Sequence, residues 1–163
     1  MGDPAAGRVG IGYDIHRLVE GRPLRLGGIE IAYERGLIGH SDGDVLCHAI
    51  ADALLGAAAL GEIGALFPPS DPKWKGITGG AILREIAARI GAAGLRIGNL
   101  DAVLIAEKPP LAPHRDAMRE AIAIDLACDP LLISIKIKSN EGCDAIGRGE
   151  AIAAQAVAWV TGR

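Results

Sequence analysis

Aromatic side chains are scarce in this chain: one Phe, two Tyr and two Trp, 3% of 163 residues. A core with so few rings must be assembled from Ala, Leu, Ile and Val, small enough in aggregate to let backbones approach closely. The same scarcity removes the stacking platforms that hold single-stranded nucleic acid. Basic blocks are missing as well. Seventeen Lys and Arg stand against 20 Asp and Glu, for a net charge of -3, and no run of cations could neutralise a row of phosphates. Nucleic acid is therefore not expected as a partner.

Cysteine is sparse and odd in number. Cys47, Cys128 and Cys143 lie far apart, which argues against a disulfide framework or a Cys-based zinc site and suits a reducing compartment. None has a cationic neighbour pattern, so all three are expected to serve packing. Long apolar runs are also lacking. The most apolar stretch, AIADALLGAAAL from Ala49 to Leu60, is interrupted by Asp52 and too short to span a bilayer. The opening MGDPAAGR has no apolar run behind it, against a signal peptide, and Ala6 fails the myristoylation pattern. The expectation is a soluble cytoplasmic protein with no membrane partner.

No repeat, low-complexity run or linker-like shift divides the chain, so residues 1–163 read as a single domain of ordinary size. From Val9 to His16, Val9, Ile11, Tyr13 and Ile15 alternate with Gly10, Gly12, Asp14 and His16, the period of a strand with an apolar side and a chemical side. Leu24–Leu26 and Ile29–Ile31 flank Gly27-Gly28, a pair suited to a hairpin turn. Asp44 to about Leu60 reads as a helix with Leu46, Ile50, Ala53, Leu54 and Ala57 inward. Three prolines in FPPSDP, Phe67 to Pro72, demand a loop. Further helices are expected from about Gly80 to Ile90, stopped by Gly94, and from Pro113 to about Ala127.

Strands are expected over Asp101–Glu107 and Leu132–Lys138, the second alternating Ile133, Ile135 and Ile137 with Ser134, Lys136 and Lys138. The Ala-rich segment from Glu150 to Val160 has helix-forming composition, and a closing helix is expected there. Together these elements predict an α+β sandwich: one mixed sheet with helices mainly on one face. The bare face is most simply covered by copies of the same chain.

Asp14 and His16 project from one face of their strand, beside glycines whose missing side chains leave room for a metal or a phosphate. Spacings of four align Asp44, His48 and Asp52 along one helical stripe. If that helix crosses the strand, Asp14, His16 and His48 form a three-ligand site with an open fourth position, as in catalytic zinc. The simpler alternative is a half-buried histidine satisfied by its neighbours. In HSDGD, His40 to Asp44, the spacing of Ser41 and Asp44 is that of a capping box. His40 and Ser41 at a helix start would equally suit an anionic group. Glu141 reads as a solvated loop carboxylate or as a hard ligand for Mg2+ or Mn2+, and Arg148 as a phosphate fork or as the partner of Glu150.

Five segments in this order resemble one known family: GYDIH at Gly12–His16, GHSDGDV at Gly39–Val45, DALLGAAALGEIG at Asp52–Gly64, FPPSDP at Phe67–Pro72 and IGRGEAIA at Ile146–Ala153. They resemble the 2-C-methyl-D-erythritol 2,4-cyclodiphosphate synthases over nearly the whole chain, Val9 to Val160. The resemblance implies a homotrimer with active sites between subunits. It also implies cyclisation of 4-diphosphocytidyl-2-C-methyl-D-erythritol 2-phosphate with release of CMP, one Zn2+ per site, and Mg2+ or Mn2+ on the diphosphate. By matching positions, Asp14, His16 and His48 would ligate zinc and Glu141 the second metal. His40 and Ser41 would hold phosphate, and Glu62 and Gly64 would meet the methylerythritol part. The cytidine pocket would lie at AEKPPL, Ala106 to Leu111, including Pro110, with Lys138, Ser139 and Arg148 nearby.

The chain also departs from that pattern. Glu62 stands where an Asp is common and Pro110 where a Lys is usual. Lys138 and Ser139 replace a Thr pair, and Cys143, Asp144 and Ala145 replace a Leu-Gly-Phe segment at the expected trimer centre. Two rival readings remain open on the sequence. One is a zinc-dependent phosphohydrolase, which would release inorganic phosphate and would need a general base that the sequence does not place. The other is a non-catalytic trimeric metal-binding protein, in which Glu141 would be idle.

Overall fold

A computed structural model describes residues 7–162, so the readings of the first six residues lie outside the described chain. In chain order the strands are β1 (Arg8–Glu20), β2 (Leu24–Leu26), β3 (Ile29–Ile31), β4 (Arg35–Leu37), β5 (Leu95–Ile105), β6 (Ile133–Lys138) and β7 (Ala151–Gly162). The helices are α1 (Val45–Ala58), α2 (Ile63–Leu66), α3 (Gly79–Ala92), α4 (Arg115–Leu126) and α5 (Asp144–Gly147). Five strands form one mixed sheet in the order β4-β1-β7-β5-β6, and β2 pairs with β3 in a separate hairpin. Among the described residues only β5 and β6 run parallel, and α4 supplies the crossover that a parallel pair needs.

Local chemistry explains most boundaries. Gly27 and Gly28 take φ of 60° and 80°, closing the expected hairpin with Leu26 opposite Ile29. Thr78 caps α3 by accepting from the Ala81 N–H, and Ile82, Leu83, Ile86 and Ile90 are all buried, as the periodicity requires. At α1 the cap differs from expectation. Asp44 itself accepts from the Cys47 N–H, and the capping box with Ser41 does not form. The fully buried Asp44 carboxylate also accepts from Gly27 and Gly28, fastening the hairpin turn to the start of α1.

The closing segment is the principal correction. Ala151–Gly162 is not a helix but the central strand β7, paired with β1 on one side and β5 on the other. Its alanines follow from packing, not helix propensity. Ala154, Ala156 and Ala158 face the helical layer beside Gly10, Gly12 and Asp14 of β1, and all three are buried. On α1, Ala49, Ala53 and Ala57 recur every four residues along the facing side.

A Cβ placed at Gly10 would meet the Ala53 carbonyl, and one at Gly12 the Ala49 carbonyl. The space beside these glycines therefore belongs to the backbone of α1 and not to a ligand, contrary to the expectation from sequence. Small residues on both surfaces let helix and sheet approach closely, and tertiary packing overrides the helix preference of Ala.

Among the described residues the other sheet face carries only the single turn α5, whose Ile146 packs on Ala151, Ala153 and Ile105. Val9, Ile11, Tyr13 and Ile15 of β1 and Val157 and Trp159 of β7 all stand exposed on it, Ile11 at 63%. Toward β5 and β6 the same face turns polar, with Asp101 paired to Lys136.

Candidate metal centre and substrate cavity

Packing of α1 on β1 decides where the histidine of the second helical turn arrives. His48 is only 4% exposed, and its Nδ1 lies 2.8 Å from Asp14 Oδ2. His16, two residues along β1 on the same face as Asp14, brings its Nε2 to 3.1 Å from the same oxygen. One ligand atom from each of Asp14, His16 and His48 falls within 4.8 Å of the others, the one such cluster among the described residues. Two imidazole nitrogens and a carboxylate oxygen are a donor set suited to zinc with an open fourth position. The residues thus fit a catalytic metal.

Electrostatics support the convergence. Burial works against the Asp14 carboxylate, but hydrogen bonds and charge from His16 and His48 outweigh it and hold the group well below the ordinary carboxylate range. Burial likewise opposes charge on His48, and Asp14 overcomes it, moving His48 upward. Asp52, one turn after His48, is not in the metal cluster. It accepts from the Ile63 N–H at 2.8 Å and so holds the first turn of α2, while burial and neighbouring Glu62 push its pKa up. The proposed stripe of Asp44, His48 and Asp52 therefore divides into three: a cap, a member of the candidate metal cluster and a brace for α2.

The triad opens on a cavity of about 290 Å³ lined also by His40, Ser41, Gly64, Ile63, Phe67 and Trp74. Its lining includes the sole Phe and one of the two Trp in the chain, packed edge to face with centroids 4.9 Å apart. FPPSDP is the loop that its prolines demand, but its spacing alone does not mark it as a cavity wall. The signal was available: in a chain so poor in rings, a Phe and a Trp seven residues apart mark an unusual requirement. Gly64 reaches the cavity, whereas Glu62 stands exposed at the start of α2 without a capping bond.

The remaining candidates lie elsewhere. Across the sheet, Ile15 pairs with Ala153, Ala153 with Ile105, and Ile105 with Lys138. Three strand spacings, about 14 Å, separate the β1 end of this row from the β6 end. Asp14 points to the helical side, while Lys138 falls in the exposed phase of β6 with Ser134 and Lys136. Ser139 and Glu141 follow in an exposed loop, where the Ser139 hydroxyl accepts from the Glu141 N–H. Ala106 and Leu111 are buried beside this end, and Pro110 is exposed.

Arg148 is exposed and bidentate with Glu150, at 2.8 and 3.1 Å. Asp144 adopts φ of 58°, and its carboxylate accepts from Asn140 Nδ2 and the Ile146 N–H, so its charge is engaged within its own loop. Cys47 is buried, as packing requires, but Cys143 is exposed, against the expectation that all three cysteines serve packing. No helix among the described residues is long and apolar enough to cross a membrane.

A mixed α+β sheet that delivers an Asp-His-His set to the mouth of a small cavity is the architecture of a protein with a candidate metal site beside space for a small molecule. The sequence pattern of the YgbB family matches residues 7–161, and the chain belongs to that family. It is 57% identical over 153 residues to the 2-C-methyl-D-erythritol 2,4-cyclodiphosphate synthase of Burkholderia thailandensis, covering 94% of both chains. A Burkholderia mallei protein of the same name is 56% identical over the same share. Among solved structures, the bifunctional IspDF from Campylobacter jejuni superposes with a TM-score of 0.93 at 36% identity, over 97% of this chain and 43% of that one. A 2C-methyl-D-erythritol-2,4-cyclodiphosphate synthase in a CDP-bound form gives 0.86 at 39% identity, over 94% and 99%.

Proposed function

We propose that this chain is a lyase that converts 4-diphosphocytidyl-2-C-methyl-D-erythritol 2-phosphate to 2-C-methyl-D-erythritol 2,4-cyclodiphosphate and CMP, a step of non-mevalonate isoprenoid precursor synthesis. The observation that carries this reading is the convergence of Asp14, His16 and His48 at the cavity mouth, in a chain 57% identical to a synthase of that name. We take residues 1–163 as one functional domain working in the cytoplasm.

The chemistry is a displacement at phosphorus. An oxygen of the 2-phosphate bonds to the β-phosphorus, the bond to the α,β-bridging oxygen breaks, and CMP leaves with the electron pair. The nucleophile is already an anion, so no general base is required; the barrier lies in bringing it against an equally anionic diphosphate. Zinc held by Asp14, His16 and His48 would supply Lewis acidity toward a phosphate oxygen, and Mg2+ or Mn2+ held by Glu141 and the phosphates would neutralise the leaving group.

The chain's own residues do the rest. His40 and Ser41 hold phosphate at the cavity edge, and Glu62 and Gly64 orient the methylerythritol part. Ile63, Phe67 and Trp74 exclude the water that would otherwise compete as nucleophile. Ala106, Pro110 and Leu111, with Lys138, Ser139 and Arg148, receive the cytidylyl part.

One chain does not complete this arrangement. Two metal ions acting on one transferring group sit about 4 Å apart, whereas the β1 and β6 ends of the row are about 14 Å apart. The exposed apolar stripe of β1 and β7 supplies a surface for association, and a homotrimer would set the Glu141 loop of one subunit against the metal site of the next.

Phosphorus NMR of the protein with the cytidylyl substrate is the decisive test. CMP and a cyclic diphosphate are expected; inorganic phosphate would indicate a phosphohydrolase, and an unchanged spectrum a binding protein. Mixing inactive His48→Ala chains with Glu141→Gln chains at a Mg2+ or Mn2+ concentration too low to sustain Glu141→Gln, then allowing exchange, should restore about one quarter of the sites if each is shared between copies.

A further inference from the structure

The loop before α1 contains an unusually well-braced serine. Ser41 Oγ lies 3.1 Å from His48 Nε2 and accepts from the Gly43 N–H at 3.1 Å. Its carbonyl accepts from Arg22, and the next residue is anchored too: the Asp42 N–H donates to the Ile77 carbonyl, while the Asp42 carboxylate accepts from Gly79 and Asp44. The serine is thus held from both sides of its own peptide, with Oγ directed at one ring nitrogen of a buried histidine whose other nitrogen faces Asp14.

A neutral imidazole carries one proton, and the partner of one nitrogen decides which nitrogen holds it. If the Ser41 hydroxyl donates to Nε2, the proton sits on Nδ1 and that nitrogen cannot bind a cation. If Oγ accepts instead, the proton sits on Nε2 and Nδ1 presents its lone pair beside Asp14 and His16. A hydroxyl has two lone pairs and one proton. In the second arrangement both lone pairs are occupied, by Gly43 and His48, and the one remaining capacity is the proton.

Resting on the metal reading given above, we propose that Ser41 is a positioning residue of the metal site: it accepts the His48 Nε2–H, fixing the tautomer that bares Nδ1, and keeps its own proton to donate to a phosphate oxygen in the cavity. Phosphate contact and metal binding then meet in one side chain. A ligand histidine held this way by an outer partner typically loses about 10- to 100-fold in metal affinity when that partner is removed.

Zn2+ alone, titrated into metal-free protein against a chromophoric chelator, reads the effect without turnover. Ser41→Ala should bind zinc about 10- to 100-fold more weakly than the parent at unchanged stoichiometry, and Ser41→Thr, which keeps the hydroxyl, should recover most of the loss. Nitrogen-15 spectra of the zinc-loaded parent should show the His48 proton on Nε2, a reading that does not depend on any variant folding. Equal zinc affinity of Ser41→Ala and parent, or a proton on Nδ1 with zinc bound, overturns the proposal. Failure of the parent itself to bind zinc overturns the metal reading, and is seen before any variant is compared.

Discussion

Neighbouring residues of β1 face opposite environments. On the helical side, Gly10 and Gly12 are closed over by α1, and Asp14 is tied to both His16 and His48. On the outer side, Val9, Ile11, Tyr13 and Ile15 stand exposed, with no helix among the described residues over them. The chain therefore brings Asp14, His16 and His48 together by itself but leaves apolar sheet surface bare. That difference assigns separate tasks to the two faces, and each can be disturbed without the other.

The largest effect is expected on the helical side. His48→Ala removes a ligand from a set whose metal is worth several kcal/mol of transition-state stabilisation, on the order of 1000-fold in rate. Metal analysis should find zinc in the parent and little in the variant, and circular dichroism should show the fold retained. Stripped parent should regain turnover when Zn2+ is returned. Full activity in zinc-free parent would end the metal reading.

Ile11→Glu disturbs the outer side. A carboxylate on the apolar stripe would have to be buried unpaired on association, at a cost of several kcal/mol per ion. Sedimentation should show a monomer, turnover should drop by roughly 100-fold or more, and zinc affinity should stay at the parent value. A fall in zinc affinity would show that the faces are coupled. Gly12→Ala reverses the test: its methyl meets the Ala49 carbonyl, so urea unfolding should show a loss of about 1–3 kcal/mol, and Ile11→Ala less.

Periodicity revealed β1, the Gly27-Gly28 hairpin and the inward face of α3 because each obeys a local rule. It misread β7 because alanine serves helices by propensity and close-packed sheets by size, and only the position of α1 decides between them. The same cause hid the fate of Gly10 and Gly12, whose space is taken by a helix distant in sequence. That His16 and His48 could meet was legible from strand and helix spacing, whereas the Ser41 contact to His48 depends on a loop conformation that no period encodes. Glu141 stayed ambiguous because its loop is exposed and no metal-ligand cluster includes it among the described residues, whereas Arg148 takes the Glu150 partner that its spacing allowed.

A smaller effect belongs to the loop after β6. Glu141→Gln keeps size and loses charge, so the concentration of Mg2+ or Mn2+ giving half-maximal rate should rise about tenfold while zinc content stays constant. Superimposable titrations of parent and variant would assign Glu141 to solvent.

The smallest effect asks how far the exposed apolar region extends across the outer face. Asp101 pairs with Lys136 there, and the two side chains are 44% and 45% exposed. Lys136 draws the Asp101 pKa below its ordinary value. A carboxyl that is more acidic folded than unfolded stabilises the fold above its unfolded pKa of about 3.9. That contribution is lost as pH falls through the lower folded value. With both partners so exposed, solvent screening limits it to about 0.2–1 kcal/mol at neutral pH. Urea unfolding of parent and Asp101→Asn should therefore differ by that much at pH 7 in low salt, converge at strongly acidic pH, and converge again in 1 M salt. A neutral-pH gap well above 1 kcal/mol that survives salt would mean that this polar half is covered as well, and that association extends from β1 and β7 across β5 to β6.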